Sequence, residues 1–190
     1  PDHATSIATK AYADSTVVGM GRYQTAVWGG ALARIGASGT WYGIPTGHQP
    51  VALTFGTGVA PALSYTLSTT ADDLVPCIWA SMHDITVSGC KIWYGQGGST
   101  NSTHSVYLMR YTIDADGDLA NGTIVANAAS LSSDDYSHAR AITLSKSETA
   151  ANLDIDFSND EILIAIIKPI TGYNANLSCK VILEYTEIAT

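Results

Sequence analysis

The segment DADGD, which begins at Asp114, is the first place where side chain types and spacing could support chemistry. Asp114, Asp116 and Asp118 could offer carboxylate oxygens to Ca²⁺. An EF-hand loop of this start needs Gly at its sixth position and Glu at its twelfth, where this chain has Leu119 and Val125. Asp-Gly between two apolar runs is a strong hairpin signal. We therefore predict that this segment is an acidic hairpin turn and that the chain binds no metal or other cofactor. The three aspartates are the candidate ligands if a metal does bind.

Other residue types with catalytic potential lack the spacing that catalysis needs. The five histidines show no HxH, HxxxH or HExxH pattern. No G-x-S-x-G marks a serine nucleophile. The acidic pairs at 72–73 and 134–135 lie in turn-like sequence, where solvated loops are the usual context. We therefore predict that the chain is not an enzyme.

Aromatic side chains are the remaining candidates for binding. Tyr136 in SSDDYSH and Tyr173 in TGYNANL lie in predicted loops, so we expect them at a binding surface. Trp79 and Trp93 lie within strand patterns, so we expect them in the core.

Composition and charge narrow the classes of partner. The 190 residues are 46% hydrophobic, which is ample for a core, and carry a formal charge of -8 from 17 acidic and 9 basic residues. No cluster of Lys and Arg is present, so we do not expect nucleic acid as a partner. No apolar run approaches the length of about 18 residues that a membrane helix needs, so we expect no membrane partner. The odd number of cysteines predicts buried free thiols at Cys77, Cys90 and Cys179.

Strand patterns fill most of the chain after residue 47. LSCKVILEY, at 177–185, alternates apolar and polar side chains, as a strand with one buried face does. EILIAIIK, at 161–168, is continuously apolar between charged ends, so we expect a strand covered on both faces. Further strand patterns lie at 41–44, 51–55, 74–81, 85–94, 105–113, 122–128, 139–145 and 152–157. Separated by Asp, Asn, Gly and Ser turns, they predict an all-β, antiparallel, jelly-roll-like β-sandwich.

Glycine is concentrated ahead of this region. Ten of the 17 glycines fall between Gly19 and Gly58. Because glycine weakens the interiors of helices and strands, we predict an irregular, Gly-rich connector at 21–46 and a sandwich head at 47–190.

Residues 1–20 differ in composition from the rest of the chain and predict a short helical neck. Ala, Lys and Asp at 8–14 tolerate helix. A seam with the 3-4-3-4 spacing of a coiled coil is formed by Ala4, Ile7, Ala11 and Val18, with Asp14 at one of its positions. A helix this short needs packing partners in water, and copies of the same chain would supply them.

The same segment carries a resemblance to a known group of proteins. PDHATSIATKAYADSTVVG resembles the P-x-x-x-(D/A)-x-x-ATK-x-YVD-S-x-V-x-G segment of tail fibres and other virion structural proteins of bacteriophages. The matching residues are Ala8, Thr9, Lys10, Tyr12, Asp14, Ser15, Val17 and Gly19, while Ala13 stands where Val is usual. The resemblance implies a homotrimer with a helical neck and a globular head. It also implies synthesis in a bacterial cytoplasm, residence in the virion and contacts with other virion proteins.

Two functions are therefore predicted for this chain. The first is a phage virion structural protein, a trimeric fibre, spike or head-decoration component that attaches to a host glycan or protein or stabilises the particle. The second is a stand-alone, lectin-like module that binds carbohydrate, supported by the loop aromatics and the sandwich fold.

Overall fold

In the computed structural model, two antiparallel β-sheets pack face to face. The structure describes residues 22–35, 39–46, 54–66, 75–96, 103–132, 140–143, 145–146, 156–157, 161–169 and 175–188. The predicted neck at 1–20, with its seam residues, lies outside the described residues, as do Tyr136 and Tyr173.

Eleven strands are described, and each sheet takes strands from both halves of the chain. In chain order they are β1 Arg22–Ile35, β2 Thr40–Gly43, β3 Thr54–Thr57, β4 Ile85–Gln96, β5 Thr103–Ile113, β6 Leu119–Ser132, β7 Arg140–Thr143, β8 Ser145–Lys146, β9 Asp156–Phe157, β10 Glu161–Pro169 and β11 Ala175–Glu187. Sheet 1 has the order β1-β11-β4-β7, with β9 beside the start of β4. Sheet 2 has the order β3-β2-β10-β5-β6-β8.

The strand pairing is nested along the chain. β5 pairs with β6, and outside this hairpin β4 pairs with β7, β2 with β10 and β1 with β11, all antiparallel. One long hairpin rolled into two sheets gives this order, which is that of a jelly roll. The predicted all-β, antiparallel, jelly-roll-like sandwich is confirmed.

The core between the sheets follows the predicted alternation. In β11 the inward side chains of Leu177, Cys179, Val181 and Leu183 are buried. Their neighbours Ser178, Lys180 and Glu184 are exposed. The three cysteines are free and buried, as predicted. Burial among apolar groups raises the pKa of the Cys90 thiol to about 12 and that of Cys179 further.

Strand β10 is buried on both faces, as its continuous apolar run predicts. Leu163, Ala165 and Ile167 pack in the core between the sheets. Ile162, Ile164 and Ile166 face the other way, into a second cluster with Trp41, Phe55, Cys77, Tyr107, Met109, Tyr111 and Leu119. Residues 54–66 and 75–78 contribute to this second cluster, so they cover the outer face of sheet 2 along β10 and β5.

The buried Lys168 of β10 binds the segment at 54–66, which covers the outer face of sheet 2. The Lys168 ammonium donates hydrogen bonds to the carbonyl oxygens of Gly58 and Val59, and it lies 4.6 Å from the centroid of the Trp41 ring. Trp41 Nε1 donates to the same Gly58 oxygen at 3.3 Å. Burial lowers the pKa of Lys168, and the carbonyl oxygens and the aromatic ring offset the cost of burying its charge.

Residues 22–35 and 40–43 differ from the predicted connector, because they form β1 and β2. Glycine here permits a close approach of strands. Gly29 has φ +151°, and a Cβ on it would lie 2.1 Å from the carbonyl oxygen of Cys179 in β11. The glycine therefore serves the pairing of β1 with β11, a tertiary requirement that composition alone does not show.

The prediction of a strand at 74–81 is also wrong for most of these residues. Val75–Cys77 form a turn of 3-10 helix, and Trp79 makes an isolated bridge to Leu163 in β10. Pro76 has no N–H to donate to a ladder, which disfavours a regular strand here.

We expect Gly29→Ala to lower the free energy of unfolding by about 3 kcal/mol or more, because the new methyl group would overlap backbone atoms of β11. Gly95→Ala is the matched control, since a Cβ there meets nothing within 4 Å. We expect that variant to stay within about 1 kcal/mol of the parent chain. Urea denaturation measures both values, and equal stabilities would contradict the strand pairing.

We expect the burial of His104 to make the fold sensitive to mild acid. The ring is fully buried, 5.3 Å from that of Tyr94, and burial lowers its pKa from 6.5 to about 4. Between these values only the unfolded chain binds the proton, so stability falls as pH falls. His104 should contribute a loss of about 2 kcal/mol between pH 7 and pH 5. Urea titrations of the parent chain and His104→Gln measure it, and parallel pH profiles would contradict it.

Candidate functional site

The DADGD segment forms the turn between β5 and β6, which confirms the predicted hairpin. Asp114 Oδ1 accepts the backbone N–H groups of Asp116 and Asp118, at 3.0 and 2.9 Å. Gly117 adopts φ +86° and donates its N–H to the Asp114 carbonyl oxygen. One side-chain oxygen of Asp114 therefore accepts two of the hydrogen bonds of this turn, as Asp commonly does in turns.

Within the described residues, no three His, Cys, Asp or Glu side chains lie close enough together to hold a metal ion. His83 is exposed in a bend, and His104 lies between the sheets. The other histidines, His3, His48 and His138, lie outside the described residues.

We expect Asp114→Ala to lower the free energy of unfolding by about 1 kcal/mol, because two backbone N–H groups lose their acceptor. Asp116→Ala removes an exposed carboxylate from the same turn and should change stability by less than about 0.5 kcal/mol. Thermal melting of the two variants compares them. An equal effect would show that the turn does not depend on this acceptor.

The outer face of sheet 1 is the broad surface that the second cluster does not cover. We call it the sheet 1 face. It is formed by Tyr23, Thr25, Val27 and Gly29 of β1, Ser178, Lys180, Ile182 and Glu184 of β11, and Gly89, Lys91, Trp93 and Gly95 of β4. Exposed apolar groups and charged groups therefore lie side by side on one antiparallel surface.

Trp93 lies on the sheet 1 face, so its predicted position in the core is wrong. Its side chain is 43% exposed, whereas its neighbours Ile92 and Tyr94 point between the sheets. The period-two pattern of β4 already carried this signal, because Ile92 and Tyr94 cannot share a face with Trp93. Trp79 is half-buried against Trp28 and Tyr185, which is consistent with the core prediction.

Three shallow depressions mark the sheet 1 face. One of about 420 Å³ lies along β1 beside Gly29. A second, of about 260 Å³, lies between Trp93, Gly95 and Lys180. A third, of about 320 Å³, lies at Gly89. Each is lined by a glycine, and a Cβ on Gly95 would meet nothing within 4 Å, so the depression beside Trp93 has room for a ligand or for a side chain of a neighbouring molecule.

The charge of the sheet 1 face differs from that of the whole chain. Lys180 and Lys91 are exposed, and neither makes an ion pair with the described residues. Glu184 lies on the same face beside Lys91. The described ion pair, between Arg110 and Glu161 at 3.4 Å, lies instead on sheet 2. The Trp93 end of the face therefore has two ammonium groups without an ion pair to the described residues, in a chain of formal charge -8.

Comparisons with known proteins give little guidance. No family model and no curated protein matches the chain. A chain in a solved structure of infectious bursal disease virus, Gx strain, is similar with a TM-score of 0.40 and 10% sequence identity. The alignment covers 88% of this chain and 32% of that one, so this chain spans about a third of the viral chain's length. Among the described residues, no helix has the length and apolar character needed to cross a membrane.

Proposed function

We propose that this chain is a non-catalytic structural component of a bacteriophage virion, a homotrimeric fibre, spike or head-decoration protein. The observation that carries the proposal is the position of the ATKAYAD segment, with seven residues between it and the first described strand of a jelly roll. The jelly roll is a common fold of viral capsid domains. The segment resembles the part of phage fibres that precedes a shaft or a C-terminal domain.

The exposed edge of sheet 1 supports assembly with other subunits. Among the described strands, β1 pairs only with β11, so its other edge has no strand partner within the part of the chain that the structure describes. Tyr23 is 86% exposed and Val27 51% exposed on this strand. Apolar side chains on a long edge strand favour association, and neighbouring subunits or other virion proteins would cover them.

Trimer formation also suits either role in the particle. Three heads held together present three copies of one weak site, which raises the overall affinity for a host surface or for the capsid. Attachment to the host and stabilisation of the particle both use this arrangement.

We expect the full chain to sediment with three times the mass of one subunit, and the chain lacking residues 1–20 to sediment as a monomer. The reason is that the neck supplies the contacts between subunits. Sedimentation equilibrium measures both masses, and circular dichroism confirms that the shortened chain keeps its β-structure. A monomeric full chain, or a shortened chain that remains a trimer, would contradict the neck assignment.

Two point variants test the contribution of the β1 edge. Val27→Lys places a charge on this strand and should weaken association. Met82→Lys is the control, because it changes a side chain that is 86% exposed and lies outside the sheet 1 face.

Antibody labelling of purified particles would show whether the protein lies on the capsid or on the tail.

The alternative function is that of a stand-alone carbohydrate-binding module that is not part of a virus particle. Two observations favour it: jelly rolls also serve as lectin domains, and Trp93 presents an exposed indole on a sheet. Tight glycan binding by a monomeric chain, with no labelling of particles, would favour this alternative.

A further inference from the structure

We propose that the Trp93 end of the sheet 1 face is a binding site for an acidic sugar. The site goes beyond the assembly role and does not depend on it, since the geometry is the same in a virion protein and in a stand-alone module. Trp93 would stack on the sugar ring, and Lys180 and Lys91 would bind its carboxylate.

The strand register places the three side chains together. Trp93 in β4 lies directly opposite Lys180 in β11. Directly opposed residues have Cβ atoms about 5 Å apart. Lys91 lies on the same face of β4, two positions before Trp93, which corresponds to about 7 Å along the strand. The indole therefore has one ammonium group beside it and a second one along its own strand.

The surface next to Trp93 has room for a ring. The depression of about 260 Å³ is bounded by Trp93, Gly95 and Lys180, and Ser178 adds an exposed hydroxyl group. A Cβ built on Gly95 would meet nothing within 4 Å, so the space above this glycine is open. Ligand sites usually measure about 300–1,000 Å³, so this one suits a single sugar unit of a longer chain.

The combination of groups selects the class of ligand. An exposed indole face stacks on flat, weakly polar surfaces such as the C–H face of a sugar ring. The two ammonium groups add attraction for an anion and make no ion pair within the described part of the chain. A nucleic acid needs a wider basic surface than two lysines in a chain of charge -8. An acidic polysaccharide offers a ring face to Trp93 and a carboxylate to Lys91 and Lys180.

The test uses two ligands with the same sugar rings, of which only one carries charged carboxylates. Isothermal titration of the full chain with trigalacturonate and with its methyl ester should give millimolar binding of the acid and about tenfold weaker binding of the ester. The difference should shrink as salt rises, because the lysines are exposed.

Three variants assign the binding to these side chains. Trp93→Ala should abolish binding of both ligands. The double variant Lys180→Gln with Lys91→Gln should reduce the binding of the acid to that of the ester and leave the ester unchanged. Met82→Ala is the matched control, because Met82 is an exposed apolar residue outside the sheet 1 face, and this variant should bind as the parent chain does.

The proposal is overturned by equal binding of acid and ester, by no binding of the acid at up to about 10 mM, or by normal binding to a folded Trp93→Ala chain. Sedimentation of the same samples reports the oligomeric state separately. Failure of the sugar site therefore leaves the assembly proposal intact, and a monomer that binds trigalacturonate leaves the sugar site intact.

Discussion

The burial of β10 on both faces is the constraint from which the rest of the structure follows. A strand with apolar side chains on each side must be covered twice. Sheet 1 supplies one cover, and residues 54–66 and 75–78 supply the other. Short segments also complete the edge of β10, since β2 pairs with Ile166 and Ile167 and Trp79 bridges Leu163. The Lys168 contacts with Gly58 and Val59 tie the outer cover to the strand itself.

This double cover makes the two sheets unequal. Among the described residues, sheet 2 has buried apolar clusters on both of its faces, whereas sheet 1 has one on its inner face only. Trp93, Val27, Lys91 and Lys180 therefore lie on a surface that no other described element covers. Assembly along the β1 edge and binding at Trp93 would use different ends of this surface, so one subunit could do both at once.

The sequence predicts the elements whose signals are local. The alternation of LSCKVILEY, the continuous apolar run of EILIAIIK and the Asp-Gly turn each specify a strand face or a hairpin without help from distant residues. β1 is different, because Gly29 is explained only by the backbone of β11 that approaches it. Trp93 was placed wrongly because the general burial of tryptophan outweighed the alternation of its own strand. The depressions beside it depend on the register of β4 against β11, which the sequence does not show.

The central position of β11 in sheet 1 has a consequence for synthesis of the protein. β11 separates β1 from β4, although almost the whole described chain lies between β1 and β11. Sheet 1 therefore cannot close until translation has passed β11, and until then a nascent chain exposes an edge of both β1 and β4. Closure across so long a loop is slow, and open edges invite pairing between chains. Several ribosomes on one messenger RNA hold incomplete chains close together, so the open edges of β1 and β4 can pair between chains. A chaperone that covers these edges would reduce such pairing.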